Sequence, residues 1–340
     1  MLAFAWYVAL TLVGTAVVWR ASGWLESSSD RLSAYYGLPA IVQGSIVVAV
    51  GSSFPELATA VIAPLIHGEF ELGVGAIIGS AIFNVLVIPA LAAIASPGSL
   101  NAGRDIVYKE AQFYIISVAV FLLMCCFAVI YYPTVDGGVS GTITPGLALI
   151  PLGTYLLYLF IQYQDTIEYD APVVSGISPT KQWAYLLASL VVILVGVEAL
   201  VRAAIGFGDL FGTPSFVWGL TVVAAATSLP DVFVSVAAAK RDHDVTSIAN
   251  VFGSNVFDLL VAVPAGVIVV GVATAGTVTI DFGVAVPLVA FLVLATIALF
   301  TLLRTDFELE HWEAWTLLGL YGAFLLWLAL ETIGLIDILV

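Results

Sequence analysis

The sequence predicts an all-α membrane protein, with ten transmembrane helices arranged as two inverted five-helix repeats. Three observations lead there. Of 340 residues, 61% are hydrophobic and 10% charged, where a soluble domain carries about 25% charged residues. Apolar stretches of the ~20 residues needed to cross a bilayer follow one another along the chain. Two segments recur at a long offset. IVQGSIVVAVGSSFPE (41–56) aligns without gaps to FVWGLTVVAAATSLPD (216–231), and IIGSAIFNVLVIPA (77–90) aligns to VFGSNVFDLLVAVP (251–264).

Hydrophobic runs and turn residues put the helices at roughly 2–34, 39–66, 72–95, 105–131, 142–164, 181–206, 215–239, 245–272, 279–303 and 312–336. The first is expected to run past the membrane as an amphipathic extension around Glu26, Asp30 and Arg31. The polar connection 166–180 separates a first repeat, 1–165 (motifs 44–56 and 79–84), from a second, 181–340 (motifs 219–231 and 253–258). An odd number of helices per copy gives the copies opposite topology. That is the plan of secondary transporters, whose sites lie near the midplane where the repeats meet.

Basic residues orient the chain. With the N-terminus outside, Arg20, Arg31, Arg104, Lys109, Lys181, Lys240, Arg241 and Arg304 fall at or near cytoplasmic connections, and Arg202 alone does not. Ten helices then put both termini on the extracellular side of the cell membrane. Net charge is −15, from 24 acids and 9 bases, which argues against nucleic acid as a partner. Acidic loops with few lysines fit a high-salt cytoplasm. Cys125 and Cys126 are adjacent in an apolar run, and His67, His243 and His311 are scattered. Neither set suggests a disulfide framework or a metal cluster.

The chemistry concentrates in the repeated segments. Glu56 and its counterpart Asp231 each lie about 15 residues into an apolar helix, or about 22 Å at 1.5 Å per residue. A carboxylate at that depth is costly unless it faces a cavity and finds partners. A single one could be a protonated structural acid; two at equivalent positions favour function. Pro55 and Pro230 precede them, lack an N–H and disturb the helical turn before them. Backbone oxygens freed at membrane depth must meet protein, water or an ion. Ser52 and Ser53 share a helical face with Glu56, as Thr227 and Ser228 do with Asp231. Carboxylates, hydroxyls and carbonyls are hard oxygen donors of the kind calcium takes. In the second motif pair, Ser80 shares a face with Asn84 and Ser254 with Asp258, beside Gly79 and Gly253. Those small residues admit close helix packing.

GSSFPE, GSAIFN, ATSLPD and GSNVFD resemble the paired alpha-repeats of the sodium/calcium exchanger family, within the cation/calcium antiporter superfamily, in a prokaryotic, archaeal-type form. The resemblance implies a secondary active antiporter exchanging sodium for calcium by alternating access, and no enzyme. It assigns a central calcium site to the Glu56 and Asp231 side chains with the Ser52 and Thr227 carbonyls. Flanking sodium sites fall on Ala49, Ser52, Ser53, Glu56 and Ser80, and on Ala224, Thr227, Ser228, Asp231 and Ser254. Asn84 and Asp258 line the middle. The partners implied are calcium, sodium and the lipid bilayer. No cofactor is implied beyond the transported ions, and no protein partner is evident.

Ser52 and Asp231 depart from many prokaryotic members, which carry Thr and Glu there. The Glu/Asp pairing and Asp258 resemble the potassium-dependent branch, so potassium use stays open. A proton-coupled calcium antiporter is the nearest rival, but its family usually replaces the serine-rich motif with one containing Asn. An intramembrane aspartyl protease is the rival from another class. Tyr169-Asp170, Gly206-Phe207-Gly208-Asp209 and Pro89-Ala90-Leu91 match its short motifs in the wrong order. Glu198 is a third acid, expected to pair with Arg202 one turn on.

Overall fold

The computed structural model describes residues 1–37, 49–104, 106–134, 139–164, 176–241, 243–273 and 278–336. Long apolar helices dominate it, and several are broken where the motifs fall. α1 (Leu2–Tyr36) is continuous. The expected second helix is described as two pieces, α2 (Ala49–Ser52) and α3 (Phe54–His67). Its start, with Gly44, lies outside the described residues. α4 (Phe70–Leu86) and α5 (Ile88–Ala95) make the third. α6 (Ala111–Tyr131) is entered through a π turn, Ile106–Glu110, and is followed by α7 (Pro145–Gln164) and α8 (Pro179–Phe211).

The expected seventh helix comprises α9 (Ser215–Trp218), a π turn (Gly219–Val223), α10 (Ala224–Thr227) and α11 (Leu229–Ala239). It bends by 41° at Ser228, between α10 and α11. α12 (Asp244–Phe257) continues through a π turn (Asp258–Ala262) into α13 (Val263–Ala273). α14 (Phe282–Arg304) and α15 (His311–Thr332) complete the helices. Among the described residues, eight helices are long and apolar enough to cross a membrane, or nine if the bent pair is one span.

One feature differs from expectation. Short antiparallel pairs join distant connections: β1 (Leu100–Asn101) with β4 (Glu308–Leu309), and β2 (Ser140–Ile143) with β3 (Val278–Asp281). Residues 142–143 and 279–281, expected to open helices, therefore lie in strands. Their backbone groups are satisfied by a ladder, and β3 alternates buried and exposed residues with the period of a strand. The end of α1 is amphipathic, with Ser27 and Arg31 exposed on its outer face. Ser22, Ser28, Ser29 and Ser33 on its inner face are all buried.

α1 lies along α8 where small residues let the backbones meet. A Cβ on Gly14 would stand 3.0 Å from the Gly196 carbonyl oxygen. Val18, Ala21 and Leu25 share one apolar core with Ile193, Val197 and Leu200. The pair packs against α2, α3, α10 and α11, the pieces flanking the two breaks. α4 covers α3 and α10, and α12 covers α2 and α11. A larger apolar core gathers residues of α4–α7 and α12–α15.

Candidate cation site

Both breaks are made the same way. Ser53 (φ −88°, ψ 6°) and Ser228 (φ −80°, ψ −4°) occupy the sparsely populated bridge region. Each is followed by a helix carrying its proline in the first turn, where a missing N–H costs nothing. The helices restart with Leu57 N–H donating to Ser53 O (3.1 Å) and Val232 N–H to Ser228 O (3.2 Å). The sequence pattern suggested kinks inside continuous helices; the chain instead ends one helix and begins another. Glu56 and Asp231 consequently sit in first turns, where the helix dipole favours negative charge.

The two carboxylates are about 1% exposed, and Ser52, Ser53, Ser80, Asn84, Ser228, Ser254 and Asp258 are fully buried. They form one cluster drawn from both motif pairs. Glu56 Oε1 accepts from Ser80 Oγ (3.4 Å) and Ser228 Oγ (3.5 Å). Ser80 and Ser228 hydroxyls are 2.8 Å apart. Asp231 Oδ1 accepts from Ser254 Oγ and Asn250 Nδ2, both at 3.2 Å, and Oδ2 from Asn84 Nδ2 at 3.5 Å. Ser52 Oγ lies 3.3 Å from Ser254 Oγ, and Ser53 Oγ donates to the Ser254 carbonyl at 3.5 Å.

Asp258 opens its π turn within electrostatic reach of Glu56 and Asp231, with Ser53 and Ser80 as polar neighbours. Thr227 is buried at the end of α10, but its hydroxyl turns back to the Val223 and Ala224 carbonyls (3.1 and 3.2 Å). The Ala224 carbonyl also accepts from Ser228 N–H at 3.1 Å. Ala49 opens α2. The sequence reading missed Asn250 and Asn255. Asn250 holds Asp231, while Asn255 accepts from Asn84 Nδ2 (3.1 Å) and donates to the Ala81 carbonyl (3.4 Å). Their counterparts are Ala76 and Ala81. An amide facing an alanine in the other copy was the available signal.

Several acceptors in this cluster have no donor. Glu56 Oε2, Asn84 Oδ1, Asn250 Oδ1 and both Asp258 oxygens are buried without a hydrogen-bond partner. Buried acceptors are normally satisfied, and leaving them bare is expensive. Each can accept a donated hydrogen bond or coordinate a cation, and a cation placed among them would satisfy several at once. The donor set is oxygen throughout, suited to hard cations. Among the described residues no three His, Cys, Asp or Glu side chains converge as a compact metal cluster. The site is therefore a loose one in which hydroxyls and amides supplement the carboxylates.

The chain matches the family model described as sodium/calcium exchanger protein over residues 6–164 and 181–330. It belongs to the sodium/calcium exchanger family. An uncharacterized membrane protein of Methanocaldococcus jannaschii is 31% identical over 255 residues, 73% of this chain and 77% of that one. A sodium/calcium exchanger of Methanosarcina acetivorans is 23% identical over 93% of this chain and 96% of its own. A solved structure of the sodium-calcium exchanger NCX_Mj shares the fold, with TM-score 0.64 and 23% identity over 95% of this chain and 98% of that one.

Asp170 lies outside the described residues, and Asp209 is exposed near the end of α8. The expected Glu198–Arg202 pair forms at 2.6 Å, and it has an additional member: His67 Nε2, at the end of α3, stands 3.0 Å from Glu198 Oε2.

Proposed function

We propose that this protein exchanges sodium for calcium across the cell membrane by alternating access, using Glu56 and Asp231 as the shared anionic core. One observation carries the reading: two buried carboxylates from separate broken helices, joined by serines of both motif pairs, with unsatisfied oxygens left over. In this reading calcium takes Glu56 and Asp231 with the Ser52 and Thr227 carbonyls. Sodium ions take positions on either side, built from Ala49, Ser53 and Ser80 and from Ala224, Ser228 and Ser254. Asn84 and Asp258 line the middle. A carboxylate shared between calcium and sodium makes their binding competitive, which is what couples the two fluxes.

The architecture proposed for this is ten membrane helices in two inverted halves, 1–165 and 181–340, linked by 166–180, with both termini extracellular. α1 and α8 would be the moving pair, sliding over the site pieces where Val18, Leu25, Val197 and Leu200 share an apolar cluster with Ala58, Ile62, Val223 and Ala226. Supporting this, α1 and α8 are packed most closely on one another, through Gly14 and Gly196.

The test is uptake of radiolabelled calcium into proteoliposomes loaded with sodium and diluted into choline. Uptake that follows the sodium gradient and collapses when sodium is equal on both sides is expected. Uptake driven by a pH gradient without sodium would replace this reading with proton coupling.

A further inference from the structure

The inner face of α1 carries a polar stripe that its counterpart lacks. Ser22, Glu26, Ser29 and Ser33 recur at helical spacing and share one face. The positions 175 further along, on α8, are Val197, Val201, Ala204 and Gly208, all buried and all without a polar side chain. If packing alone shaped these faces, the two copies would be alike. The stripe occupies the half of α1 nearest its C-terminal end, which the positive-inside pattern puts on the cytoplasmic side. It covers roughly 16 Å at 1.5 Å per residue.

The stripe leads toward the site. α1 packs on α10 and α11, and Asp231 and Asp30 are the acidic neighbours of Glu26. Glu26 Oε1 is buried with no hydrogen-bond partner. One turn before it, Ser22 is fully buried and its hydroxyl also has no partner. Ser33, farther along the stripe, is buried and unpartnered as well. Among the described residues no cation pairs with Glu26, and the segment 38–48 contains no charged residue. Arg20 stacks on Trp24, and Arg31 is exposed. A carboxylate held beside a second carboxylate, with bare oxygens around it and no cation of its own, is suited to a mobile cation.

We propose that Glu26, with Ser22, forms a staging site for calcium and sodium on the cytoplasmic approach to Asp231. The proposal rests on the exchange reading above and adds a sidedness that reading does not contain. Cations arriving from the cytoplasm would be concentrated at Glu26 before passing to Asp231. Cations arriving from outside would bypass it, because the equivalent buried face of α8, Val197, Val201, Ala204 and Gly208, offers no polar side chain.

The experiment compares right-side-out and everted membrane vesicles containing wild type, Glu26→Gln, Glu26→Asp or Ser22→Ala. Sodium-driven calcium flux is measured against calcium concentration at each face. Glu26→Gln should raise the apparent KM at the cytoplasmic face by about tenfold, the lower end of what a focusing charge supplies, with the KM at the other face holding its value. Glu26→Asp should recover most of the loss. Choline chloride added to high ionic strength should narrow the gap between wild type and Glu26→Gln, as screening requires. If Glu26→Gln does not accumulate, Ser22→Ala must show a smaller rise on the same face. Equal changes at both faces, no change, or a rise confined to the extracellular face would each overturn the proposal. Absence of sodium-driven flux in the wild type would instead remove the exchange reading itself.

Discussion

Glu56→Gln and Asp231→Asn keep the shape of each side chain and remove one charge apiece. A divalent ion in a low-dielectric site needs compensating charge, and an amide cannot supply it. Either change should nearly abolish calcium flux while the variant still elutes as a monodisperse, folded protein. Wild-type flux in either variant would end the assignment. Asp258 has a different role. With its charge gone, Glu56 and Asp231 alone balance calcium, so Asp258→Asn should still carry calcium, and any potassium requirement of the wild type should vanish. The measurement is sodium-driven flux with potassium replaced by choline, in both proteins. A loss as complete as that in Glu56→Gln would place Asp258 among the essential calcium ligands. The acids were legible because a carboxylate inside an apolar run has few structural excuses. Asn250 and Asn255 were not, because an amide on a helix face reads equally well as packing between helices. Only the hydrogen bonds to Asp231 and Asn84 separate the two roles.

At the scale of elements, the second motif pair is a packing joint as well as a source of ligands. A Cβ added to Gly79 would stand 2.1 Å from the Leu220 carbonyl oxygen, inside the π turn between α9 and α10. Gly219, at the start of that turn, would meet the Leu72 carbonyl oxygen at 2.5 Å. Backbone, unlike a side-chain tip, cannot swing aside, so α4 would have to retreat from α10 and carry Ser80 away from Ser228. Gly79→Ala should therefore cost about 1–3 kcal/mol, the usual range for overpacking. It should lower the thermal unfolding midpoint in detergent by several degrees and weaken sodium-driven flux. Gly319→Ala, where a Cβ meets nothing within 4 Å, is the matched control and should leave the midpoint unchanged or slightly raised. An unaltered midpoint in Gly79→Ala would contradict the joint. The order of the long apolar stretches could be read from hydropathy. The π turns could not, since one extra residue per turn leaves an apolar run looking the same. The strand pairs were hidden because two or four residues beside a long apolar helix have no period of their own.

For the whole molecule, the distribution of polar groups suggests what moves. The site pieces α2, α3, α10 and α11 are held to α4 and α12 by buried hydrogen bonds between side chains, whereas α1 and α8 meet α3, α10 and the π turn before α10 through an apolar cluster in which Val18, Leu25, Val197 and Leu200 join Ala58, Ile62, Val223 and Ala226. Hydrogen-bonded groups are costly to separate, and apolar surfaces of small residues can slide with little change in burial. Two further contacts tie the pair to the site pieces. Trp19 of α1 stacks on Phe233 of α11, with ring centroids 4.7 Å apart. His67 of α3 meets Glu198 of α8 at 3.0 Å. If alternating access needs α1 and α8 to shift past α3 and α11, bridging either contact covalently should stop it. Cys125 and Cys126 are first replaced by alanine, so that the introduced thiols are the only ones. Trp19→Cys with Phe233→Cys, and separately His67→Cys with Glu198→Cys, are then joined by a reducible bifunctional thiol reagent. Each linked protein should lose sodium-driven calcium flux and regain it on reduction, while calcium binding at equilibrium persists. Retained binding distinguishes arrested motion from a damaged site. Undiminished flux in fully crosslinked protein would mean that α1 and α8 do not move against the site helices, and that the exchange of access sides arises elsewhere in the fold.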